Sequence, residues 1–311
     1  MRGLTYDSGF KKGASVKIFI TGASGFVGKH VLKFLAQYHP DIAITALTRD
    51  RTKTARADGF ASADGSARAG DSDSVTYVYG DVFSPSEGII NIASSADKII
   101  HLAWGELNNF KSTGHLDKEL PGHFEFLQAC VEAGAKDISV TGTCFEYGLC
   151  DGVISETAPT EPVTAYGSAK NELLDRMQAL QSEKAFQLKW LRLFYMYGEG
   201  QNPKSLLASL LQAIDSGDTV FNMSKGDQTR DYLPIEKVAE YIVLVARQNQ
   251  VEGVINCCSG QAISVKSLVE STLQQRGAQL NLNLGHYPYP DYEGMHFWGD
   301  NTKLRSVKGV N

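Results

Sequence analysis

A tyrosine and a lysine stand four residues apart in "TAYGSAKNELL", residues 164–174, flanked by small residues. A phenol of pKa about 10 is almost wholly protonated at neutral pH and is a poor base. A lysine at i+4 lies on the same helical face, where its charge favours the phenolate. Tyr166 and Lys170 have that spacing. With an oxidised nicotinamide as a second positive charge, the phenol is expected to ionise well below its usual pKa. It would then give a proton to a carbonyl under reduction, or take one from an alcohol under oxidation. Thr143, at the end of a strand in "TGTCFEYG", is the expected third group, its hydroxyl bonded to the same substrate oxygen. Alone, the Tyr/Lys pair also fits a solvated helix face, so the rest of the chain must decide.

A nicotinamide calls for a dinucleotide site. The apolar run "VKIFI" (16–20) leads directly into "TGASGFVG" (21–28), where Gly22, Gly25 and Gly28 form a G-x-x-G-x-x-G turn. Such a turn lets backbone N–H groups approach a pyrophosphate, and the following helix aims its positive end at the same anion. Val27, Val31, Phe34, Leu35 and Tyr38 fall at helical spacing, and Pro40 closes that helix. The second strand ends in "ALTRD". No carboxylate stands where the 2′-hydroxyl of NAD would be read, and Arg49 offers a fork to a 2′-phosphate. NADP is therefore favoured over NAD, the other reading being a solvated loop arginine. Asp81, in "YGDV" after the third strand, is placed to accept from the adenine amino group or to serve as a turn residue.

Stepping along the chain, "IAITAL" (42–47), "VTYVY" (75–79), "KIIHLA" (98–103), "DISVTG" (137–142) and "LKWLRLF" (188–194) read as further strands. Helices between them imply parallel pairing, hence an α/β fold with a doubly wound sheet. The polar stretch "ARADGFASADGSARAGDSDS" between the second and third strands reads as a mobile surface loop. After about residue 195 the pattern changes to helices near 204–216, 235–247 and 265–275 with short strands such as "GVINCC". The expected division is a tail over 1–15, a dinucleotide-binding domain over 16–195, and a second part over 196–311 interleaved with the first and packed directly on it.

Of the 311 residues, 42% are apolar and 21% charged, as in a globular protein with a sizeable core. The formal charge of −5 and the lack of a basic block argue against nucleic acid. No apolar run reaches the roughly 18 residues of a membrane span. The opening "MRGLTYDSGFKKGAS" has no apolar core after its lysines, so the cytoplasm is the expected location. The five cysteines lack metal-ligand spacing and read as buried thiols, and no metal is expected.

The motifs "TGASGFVG", "GDV", "HLAW", "TGTCFEYG", "YGSAK", "LRLFYMYGEG" and "TRDYLPIEKVA" resemble those of the extended short-chain dehydrogenase/reductases of the NAD-dependent epimerase/dehydratase type, over residues 16 to about 305. The family's catalytic Ser/Thr, four before a "YG" tyrosine, falls on Thr143 before Tyr147, and its Tyr-x-x-x-Lys on Tyr166 and Lys170. The resemblance also implies cofactor contacts from Ser24, Phe26, Val27, Val82, Leu102, Ala103 and Trp104. It implies a nucleotide-sugar substrate held by the C-terminal part, with Asn202 of "GEGQNPKSLL" along the nucleotide and Arg230 of the "RDY" motif on the diphosphate. The alternative for Arg230 is an ion pair with Asp231 or Asp227. Glu146 is expected to touch the sugar or to pair with a basic residue. A homodimer is a further expectation.

Three chemistries share this scaffold. Sugar 4,6-dehydratases carry an Asp-Glu pair directly after the catalytic threonine, where this chain has Cys144 and Phe145. Dehydration is therefore disfavoured. "HLAWGE", "GTCFEYG" and "YPYPDYEGMHFWGDNTKL" resemble reductases of 4-keto-6-deoxy sugars linked to dTDP or CDP, and a 4-epimerase is the alternative. A regulator that senses NADP without turnover would be expected to lose the Tyr-x-x-x-Lys pair, which is intact here. The chain departs from the family pattern at Glu119 in "KELPGH", where many members place an asparagine.

Overall fold

Alternate residues of one strand build both faces of this protein. In β1 (Lys17–Thr21), Ile18 and Ile20 enter one hydrophobic layer and Phe19 the other, as period-two geometry requires of a strand covered on both sides. The computed structural model describes residues 16–54 and 75–310. The expected tail 1–15 and the polar insert 55–74 lie outside the described residues.

The strands that join β1 in the main sheet are β2 (Ala43–Thr48), β3 (Val75–Tyr79), β4 (Lys98–His101), β5 (Asp137–Thr143), β6 (Gln187–Leu193) and β7 (Gly253–Cys257). They form a seven-stranded sheet in the order β7-β6-β5-β4-β1-β2-β3, every pairing parallel. The order reverses between β1 and β4, which opens a crevice at their carboxyl ends. There Thr21 is in register with His101.

The helices flanking the site are α1 (Phe26–Tyr38), α2 (Glu87–Ser94), α3 (Leu120–Glu132) and α4 (Ala165–Glu183). Beyond residue 195 follow α5 (Leu206–Asp215), α6 (Ile235–Arg247) and α7 (Val265–Arg276). Phe126, Leu127, Leu173 and Met177 of α3 and α4 cover one face of the sheet with Phe19, Ile99 and Trp190. Val31 and Leu35 of α1 cover the other, together with Ile242 and Val245 of α6.

The two halves of the sequence interlock. "GVINCC" supplies the seventh strand of the main sheet rather than a short strand of a second unit, pairing from Gly253↔Lys189 to Cys257↔Leu193. A smaller core lies beyond it, where Leu207 and Leu210 of α5 meet Phe221 and Val269. No helix among the described residues is long and apolar enough to cross a membrane.

Candidate functional site

The glycine turn is built by close backbone approach. A Cβ on Gly22 would stand 2.5 Å from the Ala103 nitrogen, and one on Gly28 2.2 Å from the Gly22 oxygen. Gly22 also has φ +70°, which only glycine adopts without strain. Gly25 caps α1 without a side-chain hydrogen bond, and the first turn of that helix carries no acid. The leading N–H groups of α1 are therefore left for an external acceptor. This donor set fits a pyrophosphate.

From this turn a cavity of about 720 Å³ runs along the carboxyl edge of the sheet. Its wall brings together Gly22, Ser24, Gly25, Phe26, Val27, Gly28, Arg49, Asp81, Val82, Leu102, Ala103, Trp104, Thr143, Tyr166 and Lys170. At one end Arg49 is exposed, with Nη1 3.9 Å from Asp81 Oδ2.

At the other end, α4 begins at Thr164, whose hydroxyl accepts from Gly167 N at 3.0 Å. This cap sets Tyr166 in the first turn and Lys170 one turn later. A Cβ on Gly167 would meet the Phe145 carbonyl oxygen at 2.5 Å, so the small residue lets the helix dock against the turn Cys144–Tyr147. That contact brings Tyr166 beside Thr143. The Tyr166 N–H, unpaired within its own helix, donates to the Phe110 oxygen at 3.0 Å. The Tyr166 ring is surrounded by Phe110, His115, Trp104 and Phe145, with ring centres 5.2–6.3 Å away.

Thr143 Oγ1 accepts from Phe145 N at 3.3 Å and lies within hydrogen-bonding reach of the Tyr166 phenol. Lys170 is 1% exposed, and its Nζ donates to the Thr141 carbonyl at 2.8 Å while standing 3.9 Å from the Trp104 ring centre. Burial pushes Lys170 down to about 7, against the pull of Glu146 and Glu119.

The phenol departs from the sequence expectation. Burial, and then the Glu146 charge, drive Tyr166 above its usual range, and the Thr143 hydrogen bond only partly offsets them. The chain by itself therefore holds this phenol protonated.

Three of the expected substrate residues do not line this cavity. Glu146 is fully buried behind the cavity wall, its carboxylate accepting from Arg192 Nε at 2.6 Å, Trp190 Nε1 at 3.0 Å and Thr143 N at 2.8 Å. It pairs with a basic residue, one of the two expectations for it, is absent from the cavity wall, and holds the Thr143 N–H. Arg230 is 2% exposed, and its Nη2 donates to Glu293 at 2.9 Å while Nη1 donates to the carbonyls of Thr229 and Met295. Neither Asp231 nor Asp227 is the partner. Asp231 accepts from the N–H groups of Ser259 and Gly260, and Asp227 accepts from the Tyr289 hydroxyl. It is Glu293, not Arg230, that lines the cavity. Asn202 is exposed and off the wall, its amide donating to Asn108 at 3.0 Å.

Other cavity residues were not singled out from sequence: Phe110, His123, Tyr195 and Glu293. Glu119 was noted only as a departure from the family pattern, and it also lines the wall. The i,i+4 spacing of Glu119 and His123 was the available signal for that pair.

A sequence profile of the NAD dependent epimerase/dehydratase family matches residues 18–258. The chain is 29% identical to a dTDP-6-deoxy-L-talose 4-dehydrogenase (NAD(+)) of Aggregatibacter actinomycetemcomitans, over 91% of this chain and 99% of that one. It is 24% identical to a UDP-glucose 4-epimerase of Azospirillum brasilense, over 86% of this chain and 79% of that one. Among solved structures, the UDP-glucuronic acid 4-epimerase of Bacillus cereus in complex with UDP-glucuronic acid and NAD superposes with a TM-score of 0.77 at 18% identity, covering 95% and 94% of the two chains. With a profile match spanning most of the sheet, its glycine turn and its Tyr-x-x-x-Lys helix, this chain belongs to the NAD dependent epimerase/dehydratase family of enzymes.

Proposed function

We propose that the protein reduces the C4 ketone of a nucleoside-diphosphate 4-keto-6-deoxyhexose, dTDP- or CDP-linked, using NADPH or NADH. The observation that carries this reading is the meeting of Thr143, Tyr166 and Lys170 in the cavity that begins at the glycine turn. The likeness to the dTDP-6-deoxy-L-talose 4-dehydrogenase supports it. Cys144 and Phe145 occupy the wall beside Thr143, and burial holds the Cys144 thiol well above its usual pKa, so neither moves protons at C5 and C6.

On this reading the N–H groups that open α1 hold the pyrophosphate, and Arg49 and Asp81 flank the adenosine end. When bound, the nicotinamide supplies the hydride. Tyr166 gives its proton to the oxygen at C4, and a phenol held protonated by its surroundings suits that direction. The Thr143 hydroxyl, held as an acceptor by Phe145 N beside the Tyr166 phenol, donates its proton to the same oxygen. The Lys170 ammonium stabilises the charge left on Tyr166.

The assay is incubation with a dTDP-4-keto-6-deoxyhexose and reduced cofactor, following nicotinamide absorbance and sugar product together. One cofactor oxidised per sugar converted is expected. Conversion without net oxidation would establish the 4-epimerase, the reading favoured by the likeness to the Azospirillum enzyme. NADP is proposed as the cofactor because Arg49 stands exposed at the adenosine end of the cavity. Arg49→Ala should then weaken NADPH at least about 10-fold and NADH little, a charge-assisted pair being worth about 1.5–3 kcal/mol. Equal losses in titrations with the two cofactors would refute the 2′-phosphate contact.

A further inference from the structure

In the cavity wall, four side chains form an unbroken hydrogen-bond chain, with only His101 set behind the lining. Thr21 Oγ1 meets His101 Nδ1 at 2.9 Å, His101 Nε2 meets His123 Nδ1 at 2.9 Å, and His123 Nε2 meets Glu119 Oε2 at 3.0 Å. Thr21, His101, His123 and Glu119 are 0%, 0%, 1% and 2% exposed.

The donors can be assigned from the two ends. A carboxylate only accepts, so His123 Nε2 carries a proton and its Nδ1 accepts from His101 Nε2. His101 Nδ1 is then the acceptor for the Thr21 hydroxyl. Thr21 Oγ1 in turn accepts from Ala103 N at 3.3 Å. Every donor therefore points toward Glu119, whose Oε2 also accepts from Gly105 N at 2.6 Å. Burial and the mutual repulsion of His101 with His123 and Lys170 hold both imidazoles neutral. The carboxylate is left as the single charge of the chain. Burial opposes its ionisation, but the hydrogen bonds from His123 and Gly105 outweigh that and hold it below its usual pKa.

A buried carboxylate without a nearby cation is costly. Lys118 lowers the pKa of the Glu119 carboxyl, and Glu119 in turn raises that of the Lys170 ammonium. Lys118 is exposed on the same turn, whereas Lys170 is buried and shares the cavity wall with it. The groups facing Lys170 are Glu146 from the turn after β5, Glu119 from the turn before α3, the neutral His101 of β4 and His123 of α3, the Thr141 carbonyl of β5, and the Trp104 ring. Glu146 is already paired with Arg192 at 2.6 Å. Glu119 is the remaining carboxylate. Trp104 lies between Lys170 and His123, the residue that holds Glu119: its indole stacks on His123 at 4.7 Å and its ring centre is 3.9 Å from Lys170 Nζ. Gly105 permits the approach, since a Cβ there would meet Glu119 Oε1 at 2.5 Å.

We propose that Glu119, fixed by the Thr21–His101–His123 chain and the Gly105 N–H, is a positioning residue that acts on the reaction through Lys170, as its counter-charge. This builds on the catalytic reading of Lys170 above.

Glu119→Gln keeps an oxygen for both His123 and Gly105 and removes only the charge. The Lys170 ammonium is read directly by 13Cε-lysine NMR titration of the full chain without nucleotide, its resonance assigned by loss in Lys170→Met. The Lys170 midpoint should fall by about 1 pH unit in Glu119→Gln. Coupling is reciprocal, so the Glu119 carboxyl midpoint should rise by a similar amount in Lys170→Met. This second arm stands even where Glu119→Gln does not fold. In turnover, the high-pH limb of kcat should move down with the lysine while KM holds. Unmoved midpoints would reduce Glu119 to a structural bond for Gly105 and overturn the proposal. Absence of any 4-ketosugar turnover by the wild type would instead defeat the proposed function and leave the titrations to judge Glu119.

Discussion

Burial of Lys170 is a stability statement as well as a catalytic one. This lysine ionises near 10.5 when unfolded and at about 7 in the fold. Between those values the unfolded chain binds one more proton, so stability falls as pH drops from 10.5 toward 7 and stays at the lower level below that. Lys170→Met removes this burden. Its Tm relative to wild type should be several degrees higher at pH 6 than at pH 9 by thermal unfolding. A pH-independent difference would mean that the ammonium is not desolvated. Thr143, Tyr166 and Lys170 were legible in sequence because a four-residue interval on a helix and a strand end translate directly into position. Glu146 pairs with a basic residue, as one of its two readings had it, but the partners themselves, Arg192 for Glu146 and Glu293 for Arg230, lie 46 and 63 residues away, and no local pattern announces them.

Elements carry the next constraint, and glycine sets it. The Gly28 position faces the Gly22 oxygen and Ala23 Cα, so an added Cβ must push the glycine turn away from α1. Gly28→Ala should cost about 1–3 kcal/mol of stability and weaken cofactor binding at least 10-fold, read by denaturant unfolding and by fluorescence titration. Retained affinity at wild-type stability would show that the turn relaxes without consequence. The periodicity of the strands and of the helices 26–38, 235–247 and 265–276 announced them within a few residues. The π-helical turn His115–Glu119 that presents Glu119 could not be read, because a single wide turn leaves no repeat in the sequence.

At the scale of the molecule, the sheet is completed by residues far along the chain. β7 closes the edge of β6, and α6 covers the layer that holds Ile18, Ile20 and α1. A fragment of residues 16–195 should therefore lack cooperative unfolding, because it exposes both the β6 edge and that apolar layer; circular dichroism melting would check this. The alternation of strands and helices made the doubly wound class readable, but the pairing of Gly253 with Lys189, 64 residues apart, was not. The central claim is that the Tyr166 phenol transfers a proton to substrate while the dinucleotide is held elsewhere. Its most direct test is Tyr166→Phe, with turnover of a dTDP-4-keto-6-deoxyhexose and reduced-cofactor affinity measured on the same preparation. Turnover should fall by about 10³-fold or more with affinity within about twofold of wild type. A parallel loss of both, or retained turnover, would contradict it.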